Sequence, residues 1–236
     1  MPPQEFENRI AIVTGASSGI GLATAELLID RGARVAVFAR SAGKLKGLAR
    51  KHGDRMLAVP GDVSDIESVE RLFAETESHF GKCDILVNDA GTYVNKRLEK
   101  MSERDWDRVF AVNVRGAFLT TRRAVKSMIG RRTGTIVNVS SISGVLGPEK
   151  FPGFSAYCAS KAALIGFTEQ LAVELHDHGV RVNCVSPGSV DTAMWKAVSG
   201  GSAADMTPAE VAEVILFLAS ERSRPMNGQN IHVYST

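Results

Sequence analysis

The sequence predicts a doubly wound α/β fold: a parallel sheet of seven strands with helices on both faces. Three observations predict it. Short runs rich in valine and isoleucine alternate with stretches of helical periodicity along the chain. The runs are apolar throughout rather than at every second residue, the pattern of strands buried on both faces. Glycines punctuate the helix ends, at Gly32, Gly53, Gly81 and Gly179.

Taken in order, residues 9–14 (RIAIVT) form the first strand, closed by Gly15, and residues 20–31 the first helix. Residues 34–38 and 56–59 are the second and third strands, with a helix over 44–52 between them. A helix over 64–80 precedes the fourth strand, 85–87. Ser102 is the expected N-cap of a long helix whose apolar stripe includes Trp106, Val109, Phe110, Ala117, Phe118, Val125 and Met128. Residues 135–139 are strand five, 155–178 another long helix, and 180–185 strand six. Thr207-Pro208-Ala209-Glu210 combines a capping box with proline at the first helical position, so a helix is expected to run to about Ala219. Residues 231–233 close the sheet.

Composition fits one domain over residues 1–236, with 44% hydrophobic and 23% charged residues. A formal net charge of +2 argues against nucleic acid or an anionic membrane as the main partner. Cys83, Cys158 and Cys184 are an odd set without metal-ligand spacing, so neither a disulfide framework nor a metal site is expected. Of the histidines, only His176 and His178 are close, and positions two apart on a helix do not share a face. Residues 1–8 are polar, and no run approaches the roughly 18 apolar residues of a membrane span. A soluble cytoplasmic protein is expected.

Ligands of such sheets bind at the carboxyl ends of the strands. There the sequence places Thr14-Gly15-Ala16-Ser17-Ser18-Gly19-Ile20-Gly21, between a strand and a helix. Gly15 permits a tight turn, Gly19 lets the backbone approach a pyrophosphate, and Gly21 lets helix and strand pack closely. The helix start opening at Ile20 offers free N–H donors and a partial positive charge, and Ser17 and Ser18 can add hydroxyls. A ligand-free glycine loop is the bland alternative. Strand two ends Phe38-Ala39-Arg40, with Ala39 where an NAD site carries an acidic residue. The Arg40 guanidinium suits a 2′-phosphate, so NADP(H) is expected over NAD(H). Tyr157 and Lys161, four apart at a helix start, share a face, and a nearby ammonium would lower the phenol pKa. Ser141, at the end of strand five, can hold a substrate oxygen.

These segments, with Asp62-Val63, Asn88-Asp89-Ala90-Gly91, Asn113, Ser140-Ser141, Tyr157-Cys158-Ala159-Ser160-Lys161 and Pro187-Gly188 through Thr192, occur in an order that resembles the short-chain dehydrogenase/reductase family, and a 3-oxoacyl reductase in particular. The likeness runs from Arg9 to Val233. It implies a Rossmann-type sheet in the order 3-2-1-4-5-6-7. It implies that Tyr157 is the general acid/base, that Lys161 tunes it and binds the nicotinamide ribose, and that Ser141 polarises the substrate oxygen. Asn113 would hold a water linking Lys161 to solvent. Asp62 and Val63 would contact the adenine, while Asn88, Ala90 and Gly91 would shape the floor under its ribose and steady the sheet. Pro187, Gly188, Val190 and Thr192 would border the nicotinamide. The implied reaction is reversible reduction of a small-molecule carbonyl to an alcohol. An NAD-dependent alcohol dehydrogenase of the same family and a nucleotide-binding regulatory protein are the alternatives.

The chain departs from that pattern in places. Asp89 stands where a second asparagine is usual, adding a carboxylate beside the cleft. Ser141 and Tyr157 are 16 apart, with extra residues in the loop 147–154, expected to flank the substrate. Residues 193–206 are a short substrate lid ending in Ser199-Gly200-Gly201-Ser202, which predicts a flexible segment and an open pocket touched by Met194 and Trp195. The end, His232-Val233-Tyr234-Ser235-Thr236, lacks the acidic residue and glycines found at subunit contacts in relatives. A homodimer through the two long helices, or a homotetramer, is expected.

Overall fold

The computed structural model describes residues 5–147 and 150–234 of the protein. The first four residues of the polar N-terminus, Pro148 and Glu149 of the substrate loop, and Ser235 and Thr236 lie outside the described residues. The seven strands are β1 (Ile10–Thr14), β2 (Arg34–Ala39), β3 (Met56–Pro60), β4 (Ile85–Asn88), β5 (Gly134–Val139), β6 (Val180–Pro187) and β7 (Asn230–Val233). They form one sheet in the order β3-β2-β1-β4-β5-β6-β7, with every pairing parallel.

Strand residues alternate between two hydrophobic layers, as a period of two requires. Ala11, Val13, Val35, Val37, Val87 and Val137 face α1 (Gly19–Asp30), α2 (Ala42–His52) and α8 (Pro208–Ala219). Ile12, Ala36, Phe38, Leu86, Ile136 and Val182 face α3 (Ile66–His79), α5 (Gly116–Arg131) and α6 (Ser155–Glu174). The strands thus read as apolar throughout because both faces are covered. Register aligns the strand ends: Thr14 is paired with Phe38 and Asn88, and Asn88 with Asn138. The functional loops therefore leave the sheet side by side.

Three segments differ from the expected course. The long helix after Ser102 is divided into α4 (Glu103–Phe110), a single π turn (Ala111–Arg115) and α5. Its start is at the expected N-cap, Ser102, which the structure shows in a reciprocal capping box with Asp105. The helix after Tyr157 ends at Glu174, and His176–His178 form a 3₁₀ turn before Gly179 adopts the left-handed conformation. The lid segment holds a six-residue helix, α7 (Ala193–Val198), whose N-cap Thr192 accepts the Trp195 N–H. The Trp195 indole donates to the Ser202 carbonyl at 3.0 Å, and a parallel bridge pairs Val190 with Met206. The expected flexible lid is thus tied at both ends by local hydrogen bonds. Among the described residues no helix is long and apolar enough to cross a membrane, and no cluster of side chains could hold a metal ion.

Candidate active site

Two cavities lie at the carboxyl edge of the sheet. The first, about 310 Å³, is bounded by the β1–α1 turn, the ends of β2 and β3, and the loop after β4. Gly15, Ser17, Ser18, Gly19, Ile20, Arg40, Asp62, Val63, Ala90 and Gly91 all line it, with Tyr157, Lys161 and Thr192 at its far end. The second, about 490 Å³, is more apolar and is lined by Ser141, Tyr157, Pro187, Gly188, Val190 and Thr192 among others. Ile20, Ser140, Tyr157, Thr192 and Met194 belong to both, so Tyr157 stands in the wall that the cavities share.

The glycine turn is shaped for close approach. Gly15 has φ of +73°, and a Cβ there would come within 2.8 Å of the Ala90 nitrogen. A Cβ on Gly21 would meet the Asp89 carboxylate at 2.6 Å. The Thr14 hydroxyl, accepting the N–H groups of Asp89 and Ala90, locks the β4 loop against the turn. Ser18, the N-cap of α1, makes no side-chain capping bond, so the helix start keeps N–H groups for a ligand. At the β2 end, Arg40 is exposed and its guanidinium makes no hydrogen bond or ion pair among the described residues. No carboxylate follows β2: Ala39 precedes Arg40, and the Asp62 carboxylate is turned to the Ser64 N–H and hydroxyl. The cleft thus suits a phosphorylated ribose at Arg40 and a pyrophosphate at the α1 start.

Ser141, Tyr157 and Lys161 converge beyond it. Ser141 ends the β5 loop in extended backbone, its hydroxyl accepting the Ser143 N–H at 3.1 Å. The same side chain hydrogen-bonds Tyr157, which favours the phenolate, but burial outweighs it and pushes the phenol up to about 12. Lys161 is buried at 5% exposure, with Nζ donating to the Val139 carbonyl at 2.8 Å and 5.7 Å from the Tyr157 ring centroid. Nζ is turned to a backbone carbonyl, and burial is the largest influence on both groups, pulling Lys161 down and Tyr157 up.

Asn113 sits in the π turn, where the regular helical ladder is broken, a feature common at functional sites. Its amide donates to the Thr92 carbonyl and the Ser160 hydroxyl, each at 2.9 Å, and its oxygen accepts the Thr92 N–H at 2.8 Å. It therefore holds the loop after Gly91 against α6. Asn88 lies deeper, outside both cavities, bonded to Thr120, Thr121 and Asn138. Its place is within the sheet's polar network rather than on the cleft floor, which Ala90 and Gly91 form. Gly21 also lies behind the lining. Around Val190, the Asp191 N–H donates to the Met206 carbonyl and the Ser189 carbonyl accepts the Met206 N–H, so among the described residues the bridge leaves Val190's own backbone groups unused.

Several lining residues carried no signal in the sequence. Tyr93 stacks with Phe154 at 6.1 Å and 8°, and Phe154 meets Tyr157 edge-on, forming an aromatic wall. Tyr234, in the segment noted only for its missing glycines, closes the second cavity beside Gly188. Met194 and Trp195 line it as expected, as do Phe151 and Phe154 of the expected substrate loop.

A family model described as short chain dehydrogenase matches residues 9–202. The chain belongs to the short-chain dehydrogenase/reductase family. Among curated relatives, nodulation protein G of Rhizobium sp. (strain N33) is 38% identical over 97% of this chain and 96% of its own. The 3-oxoacyl-[acyl-carrier-protein] reductase FabG of Vibrio harveyi is 35% identical over the same shares. A solved structure of a short chain dehydrogenase/reductase family protein superimposes with a TM-score of 0.90 at 36% identity, covering 97% of both chains. A crystal structure named ribose-5-phosphate isomerase, from Brucella melitensis 16M, has the same TM-score and identity over 98% of this chain and 92% of its own. Names so different on one scaffold show that kinship fixes the family and leaves the substrate to the site.

Proposed function

We propose that this short-chain dehydrogenase/reductase is an NADP(H)-dependent carbonyl reductase that works reversibly on a small-molecule ketone or 3-oxoacyl substrate. The observation that carries the reading is the position of Tyr157, with Ser141 bonded to it and Lys161 beside it, in the wall common to the two cavities. The dinucleotide takes the first cavity, with its pyrophosphate at Gly15–Gly21, its 2′-phosphate at Arg40 and its adenine near Asp62 and Val63. The substrate takes the second, with residues 193–206 as its lid.

Bound nicotinamide supplies the hydride for the carbonyl carbon. Tyr157, protonated because its burial keeps the phenol neutral, gives its proton to the carbonyl oxygen. Ser141 donates a hydrogen bond to that oxygen as negative charge develops on it. Lys161 binds the nicotinamide ribose and stabilises the phenolate left behind, and the proton is replaced through Asn113 and water. The relative named as 3-oxoacyl-[acyl-carrier-protein] reductase supports an acyl-chain substrate, as does the apolar aromatic wall. NADPH and NADH oxidation against a carbonyl panel that includes a 3-oxoacyl thioester tests the reading. NADPH turnover that Tyr157→Phe reduces by about 10³-fold or more is expected. Faster turnover with NADH would remove Arg40 from its role.

A further inference from the structure

Asp89 is the carboxylate that the mechanism does not use. It follows β4, its backbone is held by the Thr14 hydroxyl, and its Oδ2 lies against Gly21 in the first turn of α1. It lines the first cavity with Lys161 and Tyr157, and both feel its charge. Among the described residues, the other charged groups facing that cavity are Arg40 beyond β2 and Asp62 beyond β3, with none from the β1–α1 turn itself. A carboxylate has therefore been set where the turn is built for phosphate.

We infer that Asp89 makes dinucleotide binding proton-linked: the protein takes up a proton on this carboxyl when the cofactor enters. The inference rests on the first cavity being the dinucleotide site. A pyrophosphate brought to the α1 start adds negative charge beside a group whose ionised form, among the described residues, is favoured by Lys161 and the Gly21 N–H. Without the cofactor, burial already lifts the carboxyl to about 6, against help from Lys161 and the Gly21 N–H for the ionised form. Added negative charge raises it further, so the neutral form binds the dinucleotide more tightly. Affinity is highest below about pH 6 and falls as the pH climbs through the interval between the free and bound values. An asparagine keeps the shape of this side chain and removes the charge.

The test is NADPH affinity, read by fluorescence titration from about pH 5.5 to about pH 8, for wild type, Asp89→Asn and Asp89→Ser. The 2′-phosphate of the probe titrates in the same range, but the ratio of wild-type to variant Kd cancels it. That ratio is expected to rise about tenfold across the range. Calorimetry in two buffers of different ionisation enthalpy is expected to show more proton uptake by wild type than by either variant. A ratio that stays flat, or equal proton uptake, would overturn the inference and leave the cofactor reading standing. If wild type shows no saturable NADPH binding at any pH, the cofactor reading itself falls, and the inference with it. Melting curves identify a variant that has not folded, and the other then carries the comparison.

Discussion

At the scale of single residues, the site is governed by burial more than by neighbouring charge. Burial pushes the Tyr157 phenol up to about 12, so at neutral pH the ring is in the protonated form that the proposed donation to a developing alkoxide requires. The reverse reaction needs the phenolate. A pKa raised by burial leaves the ionised fraction small below its value, and that fraction grows with pH. Alcohol oxidation, followed as NADPH formation, is therefore expected to climb with pH by up to about tenfold per unit, while carbonyl reduction shows no such rise across neutrality. Oxidation already at a plateau at neutral pH would mean that the bound cofactor has brought the phenol far below its buried value. The convergence of Tyr157, Lys161 and Ser141 was legible because the spacing of the first two on one helix and the place of Ser141 at a strand end carry it. The electrostatic balance was not, because it depends on which carbonyl Lys161 meets and how deep each ring lies, and both are tertiary facts.

At the scale of elements, the strands were legible almost to the residue, since a run such as IAIVT can be satisfied only between two helical layers. The N-cap at Ser102 and the capping box at Thr207 were equally plain. The π turn was not, because the apolar stripe continues through it and periodicity cannot resolve one extra residue in a turn. Nor was α7, because the serines and glycines at 199–202 just beyond it read as loop, while a cap at Thr192 and an indole bond make a short helix of the residues before them. Trp195 holds this element and faces the second cavity. Trp195→Ala is expected to raise KM for a long-chain carbonyl by about tenfold while changing kcat/KM for a minimal ketone by less than about threefold. Equal losses on both substrates would assign Trp195 to lid stability alone.

At the scale of the whole molecule, the cleft draws on β1, β2, β3, β4, β5 and α6, so a ligand seated there binds the folded sheet and not the open chain. NADPH at a hundred times its Kd is expected to add about 2.7 kcal/mol to stability and to raise Tm by roughly 5–10 °C, measured by scanning calorimetry. No shift at saturating NADPH would show that the cleft does not hold the dinucleotide. The seven-stranded order 3-2-1-4-5-6-7 matches the expected topology throughout. Exposed Phe118 on α5 and Val173 on α6 lie on the two helices expected to meet a second copy.

The central place of β1 has a consequence in time. The strand made first needs β4 as a neighbour, and Thr14 holds the amides of Asp89 and Ala90 across separations of 75 and 76 residues. A chain leaving the ribosome can pair β1 with β2, and β2 with β3, early, yet the wall on which Gly15 rests is not synthesised until Ala90 emerges. Lys161 arrives later still, to meet the carbonyl of Val139. The cleft around the glycine turn is thus completed by long-range contacts, the slow class in folding. During synthesis the glycine turn waits half-built, and a chain cut short before β4 would have the turn's sequence without a surface to close against.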